Sequence, residues 1–199
     1  MRGYAGAPMT TLPTPNYLGG YPAELQAQAR DLIAQGVLAE RLQRRYGAPH
    51  GVRTDGALYD YTTALKSRYL RNAAPLAKVV FDNRLHVIAN ALGTHTAVAR
   101  VQGNKLKAKR EIRIAGIFRS VPEAFLRMIV VHELAHLKER AHDRAFYALC
   151  THMEPDYHQF ELDLRLALMQ AEASGQPLWP AVAEKSTASA VAVPLVRPG

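Results

Sequence analysis

A run broken only by one arginine, Phe125-Leu126-Arg127-Met128-Ile129-Val130-Val131, leads directly into His132-Glu133-Leu134-Ala135-His136. No other feature constrains the chain as much. On a helix, residues four apart lie one above the other on the same face. His132 and His136 at that offset can therefore hold one zinc ion from one side, the H-E-x-x-H arrangement. Glu133 stands one residue past the first histidine, where a carboxylate can reach a metal-bound water and take its proton. The same pentapeptide would also suit an amphipathic helix with two ordinary histidines and a solvated glutamate. Context favours the metal. Ser120-Val121-Pro122-Glu123 has the form of a capping box that starts a helix, and both histidines then fall in the second half of that helix.

Two protein ligands rarely suffice for zinc, so a third is expected. His142 follows His136 with five residues between, the spacing of the metzincin motif H-E-x-x-H-x-x-G-x-x-H, except that Glu139 stands where that motif has glycine. On an unbroken helix His142 would lie about 240° around from His136. For His142 to be a ligand, the helix has to end near 139–141 and the chain fold back. Asp143 then reads as the cap of a following helix, Arg144 to Met153. Rival third ligands are Glu154, Glu161, His152 and His158.

The rest of the pattern predicts an α+β fold. Pro22 to Tyr46 carries Leu25, Ala29, Leu32, Ile33 and Leu42 at helical spacing, divided at Gly36, and Asp55 caps a helix with Leu58, Tyr61, Leu65 and Tyr69 inward. Val79-Val80-Phe81 and His86-Val87-Ile88 flank the turn signal Asp82-Asn83 and read as a hairpin. Thr96 to Val101 and Glu111 to Phe118 alternate as strands, joined through Gly103-Asn104. Helices return from Ser120 to about Gln170. A small antiparallel or mixed sheet packed on helices, with the H-E-x-x-H helix after the sheet, is the expected order. Residues 1–20 and 173–199 are rich in Gly, Pro and small residues and read as disordered tails around a domain at 21–172.

The one cysteine, Cys150, excludes an intrachain disulfide and a cysteine-ligated structural zinc site, and fits a reducing compartment. With no apolar run of about 18 residues and no signal-peptide pattern, the expectation is a cytoplasmic protein without a membrane partner. The formal net charge of +8 is concentrated at Lys105, Lys107, Lys109, Arg110 and Arg113. Alternate residues of a strand share a face, so the three lysines form a basic stripe able to meet a nucleotide triphosphate, nucleic-acid phosphates without sequence reading, or an acidic protein. A solvated edge strand protected by its lysines is the plain alternative. His50 and His86 read as structural. His95, Tyr157 and His158 are candidates for stabilising an oxyanion or touching substrate, as are Lys105, Lys107, Lys109 and Arg113.

The segment Val130 to Glu139, then Ala141-His142 and Arg144-Ala145-Phe146, resembles the YgjP-like metallopeptidase family, predicted metal-dependent hydrolases similar in their core to WLM and SprT-like zincins. The likeness extends through Gly20-Tyr21-Pro22, Leu70-Arg71-Asn72-Ala73, His95-Thr96-Ala97-Val98, Lys105 to Lys109 and Cys150 to Pro155, about residues 17 to 172. It implies a zincin-like fold, one Zn2+ per chain on His132, His136 and His142, and Glu133 as base. One departure stands out: where many relatives carry an Arg-Trp-Gly-Ser-Cys-like segment, this chain has Thr96 to Val101. The resemblance points first to a metallopeptidase, whose peptide or protein substrate would lie along the strand before the active helix. Members of this branch have also been labelled nucleotide pyrophosphatases, so a UTP-type pyrophosphatase is the alternative, and a non-catalytic zinc-stabilised binding module a third reading.

Overall fold

The computed structural model describes residues 16–85, 93–102 and 105–180, with backbone alone for 93–102 and 105–109. The elements are α1 (Ala23–Ala34), α2 (Leu38–Tyr46), α3 (Asp55–Tyr69), β1 (Leu76–Asp82), β2 (Gly93–Gln102), β3 (Lys105–Ala115), a 3₁₀ turn (Gly116–Ser120), α4 (Glu123–Ala135), α5 (Arg144–Met153) and α6 (Tyr157–Ser174). This is an α+β chain. Helix α4 is at its centre. Phe125, Leu126, Met128, Ile129, Val130, Val131, Leu134 and Ala135 are all fully buried, so the helix is apolar almost all round and needs packed neighbours on every side. It packs against α3, α5, α6 and the sheet. That burial outweighs the modest helix propensity of Ile129-Val130-Val131.

The sheet has strand order β1-β3-β2. β1 runs parallel to β3, with Val79 opposite Ile112 and Phe81 opposite Ile114. β2 runs antiparallel to β3, from Gly93 opposite Ile114 to Gln102 opposite Lys105. Two expectations are corrected here. β3 stops at Ala115, because the chain tightens into the 3₁₀ turn at Gly116, where an added Cβ would stand 2.0 Å from Asn83 Oδ1. And β3 is the middle strand, with partners on both sides over residues 110–114, so its backbone offers no edge to a peptide there. The expected hairpin partner His86-Val87-Ile88 lies outside the described residues; β1 finds its pairing across the chain at β3, and Leu85 N donates to Asp82 O in the turn that follows β1.

Local signals place most helix ends, though not always through the expected side chain. Gly36, with φ +71°, separates α1 from α2. Thr54, not Asp55, caps α3 by accepting from Ala57 N, which leaves Asp55 in the first turn to accept from Phe81 N of β1. Ser120 makes no capping bond; α4 starts behind Pro122, whose φ of −56° suits a helix entry. His50 is structural: its Nε2 donates to Phe118 O at 2.7 Å while Nδ1 accepts from Val52 N.

Core packing extends beyond residues 21–172 at both ends. Leu18 is buried at the start of the described chain. Past α6, Leu178 and Trp179 join the core: Trp179 packs its ring 5.5 Å from that of Phe125, its Nε1 donates to Gly47 O at 2.9 Å, and Gln43 Nε2 donates to Leu178 O at 2.8 Å. An apolar indole with a partner for its N–H is favourable to bury, and a Pro- and Ser-rich composition around it does not reveal that. Trp179→Ala is expected to lower the unfolding free energy by about 3 kcal/mol, read as a shift of the urea midpoint. A midpoint unchanged from wild type would mean that this segment adds nothing to the core.

Candidate metal centre

Helix α4 ends one residue before His136, which still holds helical angles (φ −63°, ψ −12°). The chain then tightens: Leu137 N, Lys138 N and Glu139 N donate back to Leu134 O and Ala135 O. His136 Nδ1 donates to Glu139 O at 2.9 Å, and Arg110 Nη1 reaches from β3 to Leu137 O at 3.1 Å. No non-glycine residue among those described has a positive φ. Glu139 thus makes this turn without the left-handed conformation that would require glycine. Asp143 then caps α5, accepting from Ala145 N and Phe146 N, and the reversal carries His142 back onto the end of α4.

The three imidazoles meet through their Nε2 atoms, 3.3 Å between His132 and His136, 3.2 Å between His132 and His142, and 3.0 Å between His136 and His142. Among the described residues this is the one cluster of metal-ligating side chains. A tetrahedral zinc with Zn–N bonds of about 2.0–2.1 Å sets its nitrogens about 3.3 Å apart, so the triangle fits such an ion closely. Proton placement agrees. Nδ1 of His136 gives its hydrogen to a carbonyl, which leaves a lone pair on Nε2. His132 Nδ1 lies 2.7 Å from the Tyr157 hydroxyl, and the matching tautomer donates to that oxygen. Burial, then the neighbouring His136 and His142, lower the His132 pKa to about 3, and burial with His136 lowers that of His142. Both rings are held neutral, as metal ligands must be.

Glu133 is 1% exposed, and its Oε2 has no hydrogen-bond partner among the described residues. Burial raises its carboxyl pKa to about 8. An orphaned carboxylate oxygen is costly in a core, and such an atom suits a group that meets water or substrate brought into the site.

Phe146 is the residue that sequence reasoning missed. Fully buried, its ring lies 4.9, 4.6 and 4.7 Å from those of His132, His136 and His142. It backs all three. Arg110 was likewise seen only as one charge in a basic run, whereas it holds the turn between two histidines. The capping aspartate three residues before Phe146 was the available signal, since it fixes which face α5 turns inward.

Other sequence candidates fall in varied places. Tyr157 is fully buried beneath His132, its hydroxyl engaged by Nδ1, so it is placed to orient a ring. His158 is exposed, 5.3 Å from the Tyr147 ring. Arg113 pairs with Asp82 and Glu111 within the sheet. The side chains of His95, Lys105, Lys107 and Lys109 lie outside the described residues. Among the rival ligands, Glu154 pairs with Arg127, Glu161 with Arg165, and His152 lies against Tyr69; none joins the triad.

Residues 51–167 match the family described as YgjP-like, metallopeptidase domain. The fold and site are thus of the metal-dependent hydrolase class, and the chain belongs to the YgjP-like family. Among curated proteins, a UTP pyrophosphatase of Escherichia coli (strain K12) is 60% identical over 154 residues, which cover 77% of this chain and 92% of that protein. No solved structure matches. Among the described residues no helix is long and apolar enough to cross a membrane.

Two outcomes are expected. Tyr157→Phe removes the oxygen that receives the His132 Nδ1 hydrogen and should weaken metal affinity by roughly 10- to 100-fold with the fold intact, measured by chelator competition. Unchanged affinity would free Tyr157 from this role. The second concerns the metal-free protein. A carboxyl whose pKa is raised on folding gains a penalty as pH climbs from its ordinary value of 4.5 toward about 8, so folding stability is lost over that window at up to about 1.4 kcal/mol per pH unit. Glu133→Gln should remove this slope. The difference between variant and wild-type unfolding free energies, followed from pH 4.5 to pH 8, should therefore grow in the variant's favour; a constant difference would contradict it.

Proposed function

We propose that this chain is a metal-dependent nucleoside triphosphate pyrophosphatase acting on a UTP-type substrate, with one zinc ion held by His132, His136 and His142. The observation that carries this reading is the likeness, at 60% identity over 92% of its length, to a protein named UTP pyrophosphatase. The sheet supports it. An extended peptide was expected to lie along β3, yet β3 is the middle strand, so the backbone edge that would favour peptide cleavage is already paired. A family description that includes the word metallopeptidase keeps peptide hydrolysis as the second reading. A zinc-stabilised binding module is disfavoured, since a structural zinc normally takes four protein ligands and the cluster offers three histidines.

Bound at the triad, a zinc ion supplies Lewis acidity, lowering the pKa of water and polarising a phosphoryl oxygen. The chain's own residues do the rest. Tyr157 and the Glu139 carbonyl fix the His132 and His136 rings with their Nε2 atoms converging, and Phe146 closes the apolar side of all three. Glu133 accepts the proton of the attacking water. Its high pKa in the metal-free chain falls when a dication stands nearby, which readies the carboxylate as base. Water adds to the α-phosphorus, the α–β anhydride bond breaks, and nucleoside monophosphate and pyrophosphate leave. The basic stripe Lys105, Lys107 and Lys109 neutralises the polyphosphate in this reading, and a cytoplasmic location goes with a nucleotide substrate.

The test is to offer the zinc-loaded protein UTP and, separately, an unfolded protein substrate. Release of UMP and pyrophosphate without peptide cleavage is expected. Glu133→Gln should retain the metal while kcat falls by about 10²–10⁴. Changing the three lysines together to glutamine should raise KM for UTP and flatten the salt dependence of kcat/KM, because exposed charge pairing is screened over about 8–10 Å. Peptide cleavage with no nucleotide turnover would overturn the proposal.

A further inference from the structure

One polar cleft beside the triad is used by none of the chemistry above. It has a volume of about 300 Å³ and is lined by Gly20, Tyr21, Tyr147, His158, Glu161 and Arg165. That volume is at the lower end for ligand sites, the scale of one ring system rather than a whole nucleotide. Tyr147 links cleft and triad: its ring lies 6.4 Å from that of His142 and 5.3 Å from that of His158.

The polar groups in it form an ordered pair. Glu161 Oε1 accepts from Arg165 Nη2 at 2.7 Å, one helical turn apart on α6, and both side chains are mostly buried, at 15% and 19% exposure. Arg165 Nη1 donates to Tyr17 O at 3.0 Å, while its Nε is buried without a partner. The other oxygen of Glu161 has no protein partner among the described residues. Each Nη of the guanidinium keeps a second N–H beyond those given to Tyr17 O and Glu161 Oε1, so the pair offers an acceptor and a donor side by side, with the Tyr21 and Tyr147 rings around them. The imide edge of uracil shows the complement, an N3–H donor flanked by carbonyl acceptors. Cytosine would set a bare N3 lone pair against the Glu161 carboxylate and its amino group against the guanidinium.

We infer that this cleft is the base subsite of the enzyme, in which Tyr147 stacks on the ring, Glu161 accepts the N3–H and Arg165 donates to a neighbouring carbonyl, so that an imide-edged pyrimidine is selected over cytosine. The inference rests on the pyrophosphatase reading. It also places the base next to His142, so that the phosphates of the same nucleotide extend toward the three imidazoles. A simple clasp fastening residue 17 to α6 would use the same Glu161–Arg165 pair, and base preference separates the two.

The experiment measures kcat/KM for UTP, CTP, GTP and ATP with zinc-loaded wild type, Glu161→Gln and Tyr147→Leu, checking metal content and melting temperature in each. Wild type should prefer UTP to CTP. Guanine matches only part of that edge, its N1–H and O6, and carries an amino group in place of the second carbonyl on a larger ring system, so a GTP rate well below that of UTP is expected as well. In Glu161→Gln the UTP/CTP ratio should fall by roughly 5- to 100-fold, the scale of one paired hydrogen-bond readout, since an amide can turn its N–H₂ toward cytosine N3. In Tyr147→Leu, KM for UTP should rise by a similar factor with kcat changed less. An unchanged UTP/CTP ratio in a folded, metal-loaded Glu161→Gln would overturn the inference and leave the clasp. Should Glu161→Gln fail to fold, an unaltered KM in Tyr147→Leu would overturn it. UMP titrated into metal-free wild type, followed through the aromatic resonances of Tyr21 and Tyr147, reads the cleft without turnover. Shifts at those rings are expected even if the zinc form hydrolyses no nucleotide, a result that would defeat the pyrophosphatase reading alone, and their absence would overturn the subsite.

Discussion

Three imidazoles converge here because one phenyl ring gives them a common wall. Phe146 touches His132, His136 and His142 at nearly equal distances, and its own position is set by Asp143, which accepts from its backbone N–H. Two of the histidines need only helical geometry to share a face. The third needs the chain to leave α4, reverse and start α5 at the right angle. The Asp143 cap performs the last of these steps, and the Glu139 carbonyl and Arg110 brace the turn before it. Without that wall the rings would have apolar space behind them and several rotamers to choose from. With it, the orientation of each Nε2 becomes a matter of packing as much as of hydrogen bonding.

The sheet contributes by being closed where the substrate edge was expected. β3 gives its backbone to β1 on one side and β2 on the other, while Ile112 and Ile114 on its inner face are fully buried. What β3 lends the site is therefore a side chain, Arg110, aimed at the turn after α4. The candidate site is thus built from side chains on the helical side, on α4, α5 and α6, rather than from strand pairing.

Legibility in the sequence follows the range of the interaction. The position of α4, the shared face of His132 and His136, the break at Gly36 and the Asp143 cap all arise from contacts a few residues long, and each could be read from spacing and residue type. His142 was reachable because the reversal occupies a single short loop. The phenolic partner of His132 is 25 residues away, and the guanidinium on Leu137 O is 27 away; neither leaves a local mark. β3 looked like an edge because its alternation describes its two faces and says nothing of its neighbours, one of which is parallel and more than thirty residues upstream. Trp179 was assigned to a tail by the composition around it, whereas a single indole with a carbonyl partner at Gly47 is enough to anchor it.

The three histidines of the candidate metal centre lie within one short stretch, residues 132 to 142, and this has a thermodynamic consequence for any ion held there. Closing so short a loop costs little entropy, so the denatured chain keeps a chelating segment of its own. An ion that binds both states stabilises the fold only by the difference in its two affinities. What folding adds is the fixed placement of Phe146, Tyr157 and Arg110 around the rings and the turn, and the affinity gained on folding would come from that placement, which the denatured chain loses. Stripping the metal should therefore silence the chemistry far more than it loosens the protein, because the core around α4 is held by hydrocarbon rather than by coordination.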